Sequence, residues 1–235
     1  MSSFLSTPVV YARQQAQDQG LTFLSHAKYV EVAAALFGYE QYRLMKPQLI
    51  GLWHAIQRPN SAVIYAESAA VWRCRQLLAG EGAPAGVAEQ YVSLLIRNLA
   101  GVIPGRSYLN EGQFWEDHLD PYITEHFLSQ LELDPDVAHV HDKVRAPCRI
   151  VEVEDVDNED YVWASRHTWR VWVMAGIYAI RPDGQPDRGG EYLLANFAAA
   201  YPKLDRAVVS APPTLLRVSA NANRYHAGMG GEPIR

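Results

Sequence analysis

Cysteine is nearly absent from this sequence: Cys74 and Cys148 are the only two in 235 residues. Two thiols build no disulfide framework and fit a reducing compartment. Long apolar runs are missing too. The longest, Val171 to Ile180, is half of the roughly 20 residues a membrane helix needs. The opening MSSFLSTPVV lacks the charged start and long apolar core of a signal peptide. These absences predict a cytoplasmic protein with no membrane partner. Basic charge is also scarce. Residues 1–110 carry a net of +3, too little to support a nucleic-acid surface.

What is present is ordinary for a globular chain: 49% hydrophobic and 20% charged residues, enough to bury a core in one large domain or in two smaller ones. The charge is uneven. Of a net −5, residues 111–160 hold 15 acidic and 3 basic residues, a local −12, and the other 185 hold 11 and 18, a net +7. Such a segment is a surface for basic partners, a group of acids gathered round a cation, or a solvated face.

The first hundred residues read as helices with clear punctuation. Thr7-Pro8 fits an N-cap with proline at N1, and Gly20 follows that helix. Ser25 caps a second helix with Val30, Ala33, Ala34 and Phe37 on one face, closed by Gly38. Pro47 opens a third stretch, and two more are expected near 61–79 and 84–100. GEGAPAG at 80–86 is the linker candidate. From about 147 the character changes. CRIVEVEDV alternates like a half-exposed strand, and residues 168–180 read as a central strand. RPDGQPDRGG is turn chemistry, and TLLRVSA at 214–220 is a further strand. The prediction is an α+β chain: a helical module at 1–82, then leading helices and a jelly-roll at 83–235.

LSHAKYVEVAAALFGYEQYRLM (24–45) resembles a short helical module of bacterial plasmid- and mobile-element-borne proteins, some labelled glyoxalase-superfamily. That resemblance implies no reaction, and His26 is expected in the first turn of its helix.

Four features then fall in order: DVDN (155–158), SRHTWRVWVMAGIYAI (165–180), RGGEYLL (188–194) and TLLRVSANANRYHAGMGGEPIR (214–235). Together they resemble the core of the Fe(II)- and 2-oxoglutarate-dependent oxygenases, in the prolyl-hydroxylase-like branch, over roughly residues 145–235. The resemblance implies a double-stranded β-helix (jelly-roll). It also implies Fe(II) as the metal and 2-oxoglutarate as a small-molecule co-substrate, for hydroxylation or demethylation of a protein or small molecule. Two histidines and one carboxylate on one face of Fe(II) leave three positions open, and an Arg fork suits the distal carboxylate of 2-oxoglutarate. By position His226 is the distal metal ligand, Asp157 the carboxylate ligand and Arg235 the co-substrate anchor. Tyr178 is the candidate for the polar group that this family's strand offers the co-substrate. Leu215-Leu216 and Ser219 precede His226 at the family's distance.

The chain departs from that pattern at Asp155, where the family has the first His of His-x-Asp. Asp155 is then either a third ligand or part of a turn. His141 and His167 are the nearest alternative histidines. The family also continues one strand beyond the Arg, whereas Arg235 is the last residue here. HVHD (139–142) and His118-Leu-Asp120 are further candidate ligand patterns, with Asp120-Pro121 also reading as a helix cap. Trp163, Trp169 and Trp172 line a pocket or fill the core. The second functional expectation is a non-catalytic binding or accessory protein of a mobile element, acting through the acidic segment 111–160.

Overall fold

The computed structural model describes residues 4–131, 149–158, 160–188 and 191–224. The chain mixes helix and sheet, as the sequence predicts, and divides into two compact units. The first comprises Met1–Phe114, Asp160–Trp169 and Tyr201–Pro213; the second comprises Trp115–Glu159, Arg170–Ala200 and Thr214–Arg235. No helix among the described residues is long and apolar enough to cross a membrane.

In the first unit α1 (Ser6–Asp18) begins before the expected Thr7-Pro8 cap and without a side-chain cap. Helix α2 (His26–Leu36) starts as predicted, with Ser25 Oγ accepting the Lys28 N–H at 3.4 Å. It buries more than one stripe: Tyr29, Val32, Ala33, Ala34, Ala35 and Leu36 are all buried. Its alanines let neighbours approach closely, and α1, α3 (Tyr42–Met45) and α5 (Glu67–Leu78) all pack on it. Pro47 lies in a tight turn, Lys46–Gln48, ahead of α4 (Leu49–Ile56). The 80–86 stretch is a turn between α5 and α6 (Val87–Ala100), which pack on each other inside this unit.

The helix expected from 61 is instead strand β1 (Ser61–Ile64), buried at every position. SAVI is short and β-branched, so pairing on both edges overrides any helical reading. It pairs in parallel with β2 (Arg106–Tyr108) and antiparallel with β6 (Val208–Ser210).

Helix α7 (Glu111–Phe114) closes the first segment of the first unit, and the second unit holds α8 (Asp120–Leu131), which packs on β3 (Arg149–Asn158). Its strands run in the order β3, β4 (Thr168–Ala179), β5 (Glu191–Asp205), β7 (Thr214–Arg224). Strand β4 is central, as expected from its apolar character. Strand β3 extends through DVDN, so this stretch is strand and not turn. Both the β3–β4 and the β5–β7 pairings are antiparallel.

Candidate functional site

The acidic stretch at 152–157 is organised by one irregularity. Strand β3 pairs Val151 with Ile177 and Val153 with Ala175, then shifts register so that Asp155 faces Met174 and Asp157 faces Trp172. Glu154 is the extra residue of a β-bulge. Side chains alternate with period 2, so without the bulge Asp155 and Asp157 would point to the side of Val151, which is buried. With it they share the other face with Glu152, Trp172 and Met174, and both are exposed. Among the described residues each aspartate takes only the next residue's N–H: Val156 N–H to Asp155 at 2.9 Å and Asn158 N–H to Asp157 at 2.8 Å. Neither is paired with a cation among the described residues.

The rest of that face is tied together. Gly176 has no Cβ, and the Tyr178 ring lies across the space one would fill. The Tyr178 hydroxyl donates to Glu154 Oε1 at 2.6 Å. Arg188 sits 5.6 Å from the Tyr178 ring centroid and pairs with Glu152. The Glu152 and Glu154 carboxylates push the Arg188 guanidinium above its ordinary value. The face therefore carries two engaged carboxylates and two open ones, beside a half-buried indole and thioether.

The residues drawn from the oxygenase resemblance are distributed as follows. Asp155 and Asp157 lie side by side on this face. Tyr178 is on the same face toward the other end of the strands, 5% exposed, with its hydroxyl committed to Glu154. His226 and Arg235 lie outside the described residues, as do Gly189-Gly190, His139 and His141. The strand ends are informative here. Arg149 pairs with Ala179 and Glu191 with Arg224 at the end of the sheet where Ile180 bridges Pro186. Asn158–Val171 and Ala200–Thr214 mark the other end. Asp157 is thus at the end opposite to Arg224. Between them lie eight residues of extended strand, about 26 Å, as well as β4 and β5. No group of three or more metal-ligating side chains is present among the described residues.

The other candidates resolve differently. His118 is buried in a π-helical turn, Trp115–Leu119, that runs straight into α8. Asp120 therefore lies inside a continuous helical run and not at a free N-terminus; its Oδ1 accepts the Thr124 hydroxyl at 3.3 Å. Trp169 is fully buried against Phe114 and Tyr201, with Nε1 donating to the Asp160 carbonyl at 3.0 Å, and is core. Trp163 stacks on Tyr161. His167 is exposed, and its carbonyl accepts the Lys203 N–H at 2.9 Å. Reading the sequence missed Glu152, Glu154 and Arg188. The signals were there: a glycine inside a strand pattern marks a close approach, and the apolar phase slips from Val151 and Val153 to Val156.

No protein-family model, curated protein or solved structure matches the chain.

Proposed function

We propose that this chain is a non-catalytic binding protein that takes a basic polypeptide partner on the acidic face of β3 and β4. One observation carries the reading: Asp155 and Asp157 stand together on an exposed face, and no cation among the described residues pairs with them. Trp172 opposite Asp157 supplies an aromatic surface on which a Lys or Arg side chain is favoured. Two open carboxylates beside a ring suit a cationic side chain better than a small anion. Binding of this kind weakens as salt rises, because exposed charges are screened beyond about 10 Å at 0.1 M.

The test is a titration with a fluorescent Lys/Arg-rich peptide and with the same peptide carrying Glu at those positions. The basic peptide binds, more weakly at higher salt, and the paired variant Asp155→Asn with Asp157→Asn loses most of the affinity. Equal affinity for both peptides, or no effect of the paired variant, overturns the reading.

The second reading is the Fe(II)/2-oxoglutarate oxygenase with its double-stranded β-helix. What favours it is the same pair of carboxylates, two residues apart on one face and unpaired with any cation among the described residues. It requires His226, which lies outside the described residues, to complete the site beside them. Titrating Fe(II) or Mn(II) with and without 2-oxoglutarate separates the two. Metal-dependent 2-oxoglutarate binding that His226→Ala abolishes supports the oxygenase.

A further inference from the structure

We draw no further inference here: the strongest candidate, the polar cluster of Arg13, Tyr29, Cys74 and Tyr91 among α1, α2, α5 and α6, leaves the Tyr29 hydroxyl and Arg13 Nε without a hydrogen-bond partner among the described residues, but the surrounding core seals both atoms so closely that no ligand-sized space adjoins them.

Discussion

The Trp163 side chain occupies the space beside Gly38 that a Cβ would need, with its Cγ 3.2 Å from that position. Gly38 also sits at φ +74°, closing α2. Two requirements for glycine therefore coincide, one conformational and one steric. The same corner is held from another side: Arg206 Nη1 donates to the Gly38 carbonyl at 2.9 Å and stands 5.1 Å from the Tyr39 ring. The Tyr39 hydroxyl donates to Asp205 at 3.0 Å. Gly-Tyr in the helical module thus docks α2 onto the segments at 160–167 and 203–206.

Substituting Gly38 by Ala adds a left-handed-backbone cost of about 1–2 kcal/mol to an overpacking cost of about 1–3 kcal/mol. Gly20 is the control, with φ +78° and nothing within 4 Å of its would-be Cβ. Urea denaturation of Gly20→Ala should show only the conformational part, about 1 kcal/mol. Equal losses in the two variants would remove the Trp163 contact as a cause.

Tyr178 and Glu154 form a pair whose energy can be isolated. A hydrogen bond to a charged group contributes about 1.5–3 kcal/mol when buried, and Glu154 is exposed, so we expect about 1 kcal/mol. Tyr178→Phe loses that amount in the wild type and nearly nothing in Glu154→Ala, which removes the acceptor. A double-mutant cycle measures the difference. Full additivity would mean that the 2.6 Å bond does not persist in solution.

Cys74 is fully buried, and burial pushes its thiol up to about 12, with Glu89 adding to the effect. A thiol must ionise and be reached to react. In a Cys148→Ala background, a thiol reagent at pH 8 should label Cys74 only as fast as the protein opens. Labelling at the rate of a free thiol, without denaturant, is the contrary result.

Much of the helical half was legible because its signals are local. Ser25 capping α2 and glycines closing helices depend on residues within one turn. Strand β1 was missed because SAVI is four residues whose identity as strand comes from β2 and β6, distant in sequence. Strand β5 was missed for a related reason. ANFAAAY is alanine-rich, with neither strict alternation nor β-branching, and is held in strand by neighbours on both edges. On β3 the residue types were legible and their facing was not, because a single extra residue reverses the side to which Asp155 and Asp157 point.

Lys203 gives a pH prediction with a definite sign. Its Nζ donates to the Val162 carbonyl at 2.7 Å and to the Arg206 carbonyl. The same residue, Val162, gives its N–H to buried Glu111 at 2.5 Å, so one peptide segment is gripped from both sides. Burial pulls the Lys203 ammonium down to about 7; Asp205 and Glu111 oppose that shift and Arg206 adds to it. The unfolded chain keeps Lys203 protonated up to about pH 10.4. Between pH 7 and 9 the unfolded state therefore binds more protons than the native state, and stability rises with pH. The slope is at most about 1.4 kcal/mol per pH unit. From about pH 8 upward Cys74 increasingly opposes this, because its native thiol holds the proton that the unfolded one releases around pH 8.5, so the rise is steepest between pH 7 and 8. Urea titrations at pH 7, 8 and 9 should show this rise in the wild type and its loss in Lys203→Met, whatever the variant's absolute stability. A wild-type stability that is flat or falling over that window would show Lys203 to be charged in the folded protein.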